Sequence, residues 1–362
     1  MPLDQPYSPC AVHAKPTPTG APTGARMGAR HDILGRRLNL IATMLVFIMP
    51  LAALSAAIVS GMVRIGPIDR PNSRSSHVAP VPKGGGVGPV VVVMAVIGLV
   101  LLDQPSLPEF PVLLLGGIIV ALMALLDDIY NLPVRMKFAA QAAAALVVVL
   151  GGVSVSQVGP VPLGLFGPVL TFCWIMFATN ALNFMDGLNG LVAGVCIIVG
   201  LALAGWDDSA GHAVALTLAA GLIGFLPFNF PRARIFLGDV GSQFCGFTLA
   251  VLAVVEVQRN TSAGLVVPLG LLVLLFDVGA TLIRRLLAHE RLTQAHRGHC
   301  YQLLHRTGVP APWVAAGVWA MAAWGVGCAA LSWPVAIPLA LVPPVIWTGW
   351  AWLRARARLE NW

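Results

Sequence analysis

Residues 110–131 read FPVLLLGGIIVALMALLDDIYN, an uncharged apolar run that ends at two adjacent carboxylates, Asp127 and Asp128. Apolar runs of about 17 residues or more can cross a membrane as helices. Carboxylates beside such a helix are costly unless they bind a cation or take part in chemistry. The stretch therefore predicts a membrane helix with a polar site at its end.

The same pattern recurs along the chain, which is 57% hydrophobic and only 10% charged. Such a composition excludes an ordinary soluble domain and predicts an all-α integral membrane protein of about eleven transmembrane helices. The predicted segments lie near residues 39–63, 86–102, 110–126, 137–153, 168–184, 190–205, 213–230, 242–258, 263–283, 313–333 and 335–353.

The distribution of Lys and Arg predicts the orientation. If the segments alternate, one side receives most of the basic residues, and the opposite loops hold only Arg259. The basic side holds Arg64, Arg70, Arg74, Lys83, Arg135, Lys137, Arg232, Arg234, Arg284, Arg285, Arg291, Arg297, Arg306, Arg354, Arg356 and Arg358. By the positive-inside rule this side is cytoplasmic. We therefore predict a multi-pass membrane protein whose polar patches face the cytoplasm.

Three regions are predicted. Residues 1–36 lack periodicity and form a disordered N-terminal extension, with Met27 as an alternative start. Residues 37–353 form one transmembrane catalytic domain, and 354–362 form a basic cytoplasmic tail. The net charge of +7 suits an anionic membrane surface. Nucleic acid is not expected as a partner, because no basic stripe alternates with exposed aromatic residues.

The Asp127-Asp128 pair has two interpretations. Adjacent carboxylates repel each other, so a nearby cation or a raised pKa is needed to hold them. The pair is then a base or a metal-associated site that faces an anionic substrate. Alternatively, it is a helix end that forms salt bridges with Arg135 or Lys137.

A second patch combines three amides with one carboxylate. Asn180, Asn183 and Asp186 recur every three residues, with Asn189 three further on, so the first three can converge on one helix face. This pattern favours a site that hydrogen-bonds a nucleotide or a sugar. The alternative is polar contact between membrane helices.

Two further loops carry polar groups. In Phe236-Leu237-Gly238-Asp239, the ring can stack on a base and Asp239 can ligate Mg²⁺ or cap the next helix. His296-Arg297-Gly298-His299 forms a cationic loop suited to phosphate oxygens, although basic loops are also a plain positive-inside signal.

The first cytoplasmic loop carries Lys83 followed by three glycines, Gly84–Gly86. Consecutive glycines beside a lysine can cradle a phosphate through backbone N–H groups. Gly-rich turns are common, so this motif is weak by itself.

In their order, these motifs resemble the polyprenyl-phosphate N-acetylhexosamine-1-phosphate transferases, which belong to glycosyltransferase family 4. The resemblance spans about residues 64–310 and rests on 74–86, 127–128, 180–187, 236–242 and 295–302. The form of the last motif resembles the branch that initiates O-antigen synthesis. The resemblance implies transfer of a sugar 1-phosphate from a UDP-sugar to undecaprenyl phosphate, with release of UMP. It also implies a location in a bacterial inner membrane, with the active-site cleft facing the cytoplasm.

The resemblance also implies a cofactor and residue roles. Mg²⁺ is the expected cofactor, with Mn²⁺ as a substitute, and membrane lipids surround the protein. The predicted catalytic residues are Asp127, Asp128 and His299, and the predicted metal ligands are Asp239 and Asp186. The predicted substrate-binding residues are Lys83, Asn180, Asn183, Asp186, Asn189, Phe236, His296 and Arg297.

Two positions depart from the family pattern. Asn189 stands where many members carry Asp, and Gly298 stands where related sequences often have Ser. The first departure bears on recognition of the nucleotide or the sugar.

Two other functional classes fit parts of the sequence. A secondary transporter also has many helices and intramembrane acids, but transporter sites lie near the membrane midplane and often come with internal repeats. A non-catalytic scaffold requires loss of the Asp pair or of Asp239, and all three carboxylates are present. The identity of the sugar and a homodimeric assembly stay open.

Overall fold

The computed structural model is almost entirely helical from Val46 to Arg358. It describes residues 46–71, 79–158, 161–206, 210–259, 261–291 and 296–359. The predicted N-terminal extension, its alternative start at Met27 and part of the loop between residues 64 and 85 lie outside these ranges. The chain from Phe47 onward forms one compact unit.

The helices follow one another with short connections. They are α1 (Val46–Ile65), α2 (Val87–Asp103), α3 (Glu109–Tyr130), α4 (Val134–Leu150), α5 (Phe166–Met185), α6 (Leu191–Ala204), α7 (Ala210–Asn229), α8 (Gly238–Arg259), α9 (Thr261–Gly270), α10 (Leu272–Leu287), α11 (Cys300–Arg306), α12 (Ala311–Cys328) and α13 (Trp333–Arg358). Two antiparallel pairs of two-residue strands join some of them: β1 (Ile68–Asp69) with β2 (Val81–Pro82), and β3 (Gln157–Val158) with β4 (Val161–Pro162).

Helix α8 forms the centre of the bundle. Every residue from Val240 to Glu256 is buried, and the helix packs against α3, α5 and α9. A helix that is apolar on all sides belongs in a protein interior or a membrane. The position of α8 fixes that of Asp239, which lies in its first turn.

The peripheral helices present apolar side chains outward. Phe47 and Leu54 of α1, and Val345, Ile346 and Leu353 of α13, are exposed at their surfaces. Exposed apolar surface of this extent is a sign of contact with another apolar phase, here the membrane interior. The chain is therefore a multi-pass membrane protein.

Within the described residues, each of the eleven predicted segments coincides with a helix or, in one case, a bent pair of helices, and residues 39–45 of the first segment lie outside them. In the described residues, seven helices are long and apolar enough to cross a membrane, or eight if the bent pair counts as one span. Helices α2 and α6 are shorter, and at a 1.5 Å rise per residue the 14 residues of α6 cover only about 21 Å. The count of eleven spans stays a prediction.

The bent pair replaces a predicted continuous segment near 263–283. Helices α9 and α10 meet at Leu271 with a bend of 51°. Pro268 lies three residues before this break, and a proline removes a backbone N–H and crowds the preceding turn. The break brings α10 towards α5, α12 and α13 as a separate element.

Candidate active site

Polar side chains from several elements line a cavity of about 300 Å³ where α3 and α5 end and α8 begins. Its wall consists of Asp69, Lys83, Asp128, Asn183, Asp186, Gly187, Leu188, Asn189, Asn229, Phe236, Leu237, Gly238, Asp239 and Gln302. Four of these residues are carboxylates and one is a lysine. The motifs that are far apart in the sequence therefore meet at one end of the bundle.

The end of α3 sets the position of the Asp pair. Asn131 adopts a left-handed conformation, with φ of 53°, and stops the helix directly after Tyr130. Pro133 follows, and α4 begins at Val134. This short connection returns the chain so that the first turn of α4 lies beside the last turn of α3. Asp127 also accepts a hydrogen bond from the Leu132 backbone N–H at 2.7 Å.

Asp128 caps the start of α8. Its carboxylate accepts hydrogen bonds from the backbone N–H groups of Asp239 at 3.2 Å and Val240 at 3.1 Å. Only 2% of the residue is exposed, and Lys83 Nζ lies 3.6 Å from its Oδ1. A carboxylate at a helix N-terminus satisfies donors that have no partner inside the helix. Asp128 thus joins α3 to the first turn of α8.

Lys137 links the other two acids. Its Nζ lies 2.7 Å from Asp127 Oδ2 and 3.3 Å from Asp239 Oδ2. The salt bridge with Lys137 that the alternative interpretation of the Asp pair describes is therefore present, and it extends to a third carboxylate. Asp127 is 6% exposed and, unlike Asp128, is not part of the cavity wall.

The second patch divides between the cavity and the helix interior. Asn183 Nδ2 donates to Asp239 Oδ1 and to Ser242 Oγ, each at 3.0 Å. Asp186 reaches the cavity wall directly after α5 ends. Asn180 does not reach the wall and instead donates to Gln141 Oε1 at 2.6 Å. The expected convergence thus holds for Asn183 and Asp186, not for Asn180.

The carboxyl group of Asp186 lies in an unfavourable electrostatic setting. Its burial, together with the nearby charges of Asp239 and Asp128, raises the pKa of Asp186 well above its usual range. No hydrogen bond or ion pair joins its carboxylate to another described residue. A cation beside the Asp186 carboxylate would stabilise its charged form and lower its pKa.

The donor set fits a magnesium ion that is shared with a substrate. Within the described ranges, no three His, Cys, Asp or Glu side chains form a complete metal cage. Asp128, Asp186 and Asp239 nevertheless share one cavity. Mg²⁺ is usually held by one or two carboxylates plus substrate phosphates and water. Asp239 and the unpaired Asp186 are the residues that would hold it.

The triple glycine does not have the phosphate-cradling arrangement that the sequence predicts. The backbone N–H groups of Gly85 and Gly86 donate to the carbonyls of Phe236 and Leu237, at 2.9 and 2.8 Å. A Cβ on Gly86 would lie 2.2 Å from the Cα of Gly241. The glycines therefore allow the loop to pack directly on the start of α8, and two of the three N–H donors are used in that packing.

A short hairpin completes this side of the cavity. Strand β1 pairs with β2, so Asp69 lies opposite Val81. Asp69 and Lys83 consequently line the same wall. The predicted substrate-binding residue Lys83 therefore lies at the cavity, together with Asp69.

A neighbouring cavity of about 480 Å³ opens on the side of Phe236 and Asn189. Both cavities share Gly187, Leu188, Asn189 and Phe236 as lining residues. Asn189 Nδ2 donates to the Pro231 carbonyl at 3.2 Å, which leaves the side-chain carbonyl for another donor. Arg232 and His305 lie on the far wall. Phe236 and Asn189 thus separate an acidic compartment from a less charged one.

The histidine loop is anchored by an acid that the sequence analysis missed. Asp277 of α10 is 2% exposed and lies 3.2 Å from His299 Nδ1. Its carboxylate also accepts hydrogen bonds from the backbone N–H groups of Cys300 and Tyr301, at 3.0 and 3.3 Å. Such a contact fixes the orientation of the imidazole ring. Asp277 is therefore a positioning residue for His299.

The loop differs from the predicted cationic surface. Burial, the neighbouring imidazole of His299 and the guanidinium groups of Arg285 and Arg284 lower the pKa of His296 to about 4, so its ring is neutral at pH 7. His296 Nδ1 accepts a hydrogen bond from the Gly298 N–H at 3.2 Å. In the described part of the chain, His296, Arg297 and His299 do not line the cavity, whereas Gln302 of the same segment does.

Tyr301 brings this segment beside the second patch. Its hydroxyl donates to the Phe184 carbonyl at 3.1 Å. A Cβ on Gly187 would lie 2.2 Å from that hydroxyl oxygen, so a side chain at this position would displace the Tyr301 ring. The start of α11 therefore packs against the end of α5.

Other residues of the site were also not singled out from the sequence. Asp69, Asn229 and Gln302 line the cavity, and Lys137 was considered only as a counter-charge. Lys137 had a usable signal, because it lies within three turns of the Asp pair across a proline. Asn229 had no usable sequence signal, because it lies in an apolar helix. Its role depends on a contact distant in sequence, since its Oδ1 accepts a hydrogen bond from the Gly190 N–H at 2.5 Å.

The central part of the chain, residues 110–256, matches the profile of glycosyl transferase family 4. Over these residues the chain is similar to that family. The matched segment runs from the start of α3 almost to the end of α8. It includes the Asp pair, Asp186 and Asp239, so the family match covers most of the cavity wall.

Curated relatives extend the comparison. A probable undecaprenyl-phosphate N-acetylglucosaminyl 1-phosphate transferase of Bacillus subtilis is 29% identical over 76% of this chain and 79% of its own length. The undecaprenyl-phosphate alpha-N-acetylglucosaminyl 1-phosphate transferase of Escherichia coli K12 is 28% identical, over 68% and 71%. A decaprenyl-phosphate N-acetylglucosaminephosphotransferase of Mycobacterium tuberculosis is 34% identical over 52% of this chain. The match spans about half the length of that mycobacterial protein, 53%.

Proposed function

We propose that this protein transfers a sugar 1-phosphate of the N-acetylhexosamine type from a UDP-sugar to undecaprenyl phosphate and releases UMP. The observation that carries the proposal is the shared cavity of Asp128, Asp186, Asp239 and Lys83 at one end of an apolar helix bundle. The match to the family profile and the printed names of the relatives support the same reaction.

The site must accommodate three phosphate groups, two from the UDP-sugar and one from the lipid acceptor. In the reaction, an oxygen of the acceptor phosphate attacks the phosphorus that bears the sugar, and the bond to the bridging pyrophosphate oxygen breaks. Bound Mg²⁺, or Mn²⁺ in its place, supplies neutralisation of phosphate charge. Lys83 lies 3.6 Å from Asp128, and Lys137 lies 2.7 Å from Asp127 and 3.3 Å from Asp239. They position the carboxylates and balance the charge that the phosphates bring.

The nucleotide is assigned to the compartment beside Phe236 and Asn189. An aromatic ring can stack on a base, and the Asn189 side-chain carbonyl can accept a hydrogen bond from a base N–H. His296, Arg297 and His299 lie on the segment that continues into Gln302 of the cavity wall. We assign them to the approach of the pyrophosphate, with Arg297 as the charged group.

The location of the site suits a lipid acceptor. The polyprenyl tail of the acceptor stays in the membrane, so its phosphate can reach only a site at the membrane surface. The Lys and Arg distribution favours the cytoplasmic surface, where UDP-sugars are made. This reaction would begin the assembly of a cell-surface glycan, O-antigen or a related polymer. The names of the relatives make UDP-N-acetylglucosamine the first donor to test.

A secondary transporter is less well supported. Its substrate site would lie near the middle of the helices, whereas Asp128, Asp186 and Asp239 lie in terminal turns or just beyond them. A transport site would also leave the sugar phosphate unchanged, which separates the two classes experimentally.

The test is transfer of label into lipid. Purified protein is incubated with undecaprenyl phosphate and a panel of UDP-sugars that carry a radiolabelled sugar, with Mg²⁺ or with EDTA. We expect label from one donor to enter the lipid fraction with release of UMP, and EDTA to stop it. The variant Asp239→Asn should lose about 10²-fold or more of the rate while remaining folded. Absence of lipid-linked label with every donor, or transfer unaffected by EDTA, contradicts the proposal.

A further inference from the structure

Three amide side chains form a continuous line of hydrogen bonds that ends on Asp239. Asn180 Nδ2 donates to Gln141 Oε1 at 2.6 Å, and Gln141 Nε2 donates to Gln243 Oε1 at 2.8 Å. Gln243 Nε2 then donates to Asp239 Oδ2 at 3.0 Å. The line crosses from α5 through α4 to α8, so it connects three helices to one carboxylate.

The direction of the line follows from the chemistry of its end. An ionised carboxylate only accepts hydrogen bonds, so Gln243 must turn its NH₂ group towards Asp239. The carbonyl oxygen of Gln243 then faces Gln141, so Gln141 must donate its NH₂ group to it. The carbonyl oxygen of Gln141 in turn accepts a hydrogen bond from the NH₂ group of Asn180. Asn180 uses its Nδ2 a second time, on the Met176 carbonyl at 2.8 Å, which holds the amide in this orientation. Every amide dipole of the line thus points the same way.

The line runs through the protein interior. Gln141 is 3% exposed and Gln243 is 2% exposed, and neither belongs to the cavity wall. Hydrogen bonds in a medium of low polarity are strengthened, and neighbours in a chain polarise one another. A buried amide of this kind has no access to water as a substitute partner, so each member depends on the next.

The line completes the support of Asp239. Asn183 donates to Oδ1 at 3.0 Å, whereas Gln243 and Lys137 both contact Oδ2. Lys137 is shared with Asp127 and can move with the charge of the site. Gln243 is the donor to Oδ2 that is anchored in the interior.

We infer that Asn180, Gln141 and Gln243 are a relay of positioning residues that holds the Asp239 carboxylate for a divalent cation. The inference rests on the proposed function, because Asp239 is taken as the metal ligand there. Outer partners of metal ligands orient the ligand and commonly change metal affinity by 10- to 100-fold when they are replaced. Asn180, predicted to bind substrate, acts on Asp239 through two intervening amides.

The test measures binding of Mn²⁺ alone to the full-length purified protein, by electron paramagnetic resonance. The variants are Gln243→Met and Gln141→Met, which keep the volume and remove the hydrogen bonds. Thr217→Val is the matched control, because Thr217 is a buried polar residue of α7 that bonds only within its own helix, to the Ala213 carbonyl. The melting temperature and the Mg²⁺ concentration for half-maximal transfer are measured on the same preparations.

We expect the dissociation constant for Mn²⁺ to rise about tenfold in Gln243→Met and about fivefold in Gln141→Met, with the control within twofold of wild type. The Mg²⁺ midpoint should rise in the same order. If these variants lower the melting temperature and leave Mn²⁺ affinity unchanged, the amides only join helices and the relay is wrong.

If a replacement of Gln141 prevents folding, the variant Asn180→Leu tests the same line of hydrogen bonds at its half-buried end. A rise of about threefold in the Mn²⁺ constant supports the relay, and no rise contradicts it. Mn²⁺ binding needs no donor or lipid, so the relay is decided separately from the transferase activity. A wild-type protein that binds Mn²⁺ but transfers no sugar phosphate would overturn the proposed function alone.

Discussion

At the scale of single residues, Lys137 sets the charge balance of the site. One ammonium group lies between Asp127 and Asp239, 2.7 and 3.3 Å away, whereas no basic side chain of the described residues forms an ion pair with a third carboxylate, Asp186. Like charges this close raise the cost of ionisation for each other. The site therefore has an excess of negative charge that a divalent cation would offset before anionic substrates enter.

Asp127 is predicted to act as the base towards the acceptor phosphate, with Lys137 as its partner. The variant Asp127→Asn should lower kcat by about 10²- to 10⁴-fold with little change in KM, because proton transfer contributes on that order. The control is Asp103→Asn, because Asp103 is an exposed acid at the last residue of α2. This variant should have the kcat and KM of wild type. A radiolabelled sugar phosphate trapped covalently on the protein without acceptor lipid would show that an Asp is instead a nucleophile.

Asn189 is predicted to contribute to recognition of the donor nucleotide. The variant Asn189→Asp exchanges a neutral acceptor for a charged one and loses the hydrogen bond to the Pro231 carbonyl. We expect KM for the UDP-sugar to change about fivefold, or about 1 kcal/mol, with kcat largely kept. Steady-state kinetics of both proteins measure this. A fall in kcat at constant KM would place Asn189 in the chemistry instead.

His296 gives the protein a specific pH response. Its pKa of about 4 lies below the value near 6.5 of an unfolded chain, so the unfolded state binds more protons between these values. His296 therefore lowers stability as the pH falls from about 6.5 to about 4 and has no effect above that window. We expect the melting temperature of wild type to fall more steeply through this window than that of His296→Gln. Parallel curves would contradict the lowered pKa.

At the scale of elements, the junction between α3 and the start of α8 holds the site together. Asp128 accepts the N–H groups of Asp239 and Val240, and Gly238 precedes them with φ of 77°. A left-handed conformation of this kind favours glycine over other residues. The junction thus joins two motifs that are 111 residues apart.

Gly238→Ala should disrupt this junction. The added Cβ would lie 2.6 Å from Asp128 Oδ2 and would also strain the backbone, at a cost of about 1–2 kcal/mol for the conformation alone. We expect a lower melting temperature and a loss of transferase activity. Gly98→Ala is the control, because a Cβ there meets nothing within 4 Å. Equal behaviour of the two variants would show that the junction tolerates displacement of Asp128.

At the scale of the whole molecule, the bundle is polar at one end and apolar along its outer helices. The terminal turns of α3, α5 and α8 carry the carboxylates, and the outer faces of α1 and α13 carry exposed apolar side chains. An enzyme that joins a soluble donor to a lipid needs this arrangement, because one substrate arrives from water and the other from the membrane.

The orientation of the bundle can be tested by cysteine accessibility. In a background without the native cysteines, Arg291→Cys should resist a membrane-impermeant maleimide in intact cells, and Gln104→Cys should react. The reason is the placement of the basic loops on the cytoplasmic side. Both positions should react after the membrane is opened, which confirms that each thiol is accessible. Labelling of position 291 from outside would reverse the orientation and the side of the active site.

The sequence by itself determined the helical membrane class, the location of each apolar segment and the acidic motifs at the segment ends. These are local properties, since hydrophobic length and charge can be read without knowledge of contacts. Only the tertiary structure decided which polar groups meet. Asn180 hydrogen-bonds to Gln141 instead of lining the cavity. The N–H groups of Gly85 and Gly86 bond to carbonyls of the chain just before α8. Asp277 contacts His299 from a different helix. Such pairings depend on how helices pack across more than twenty positions of sequence, and no local pattern encodes them.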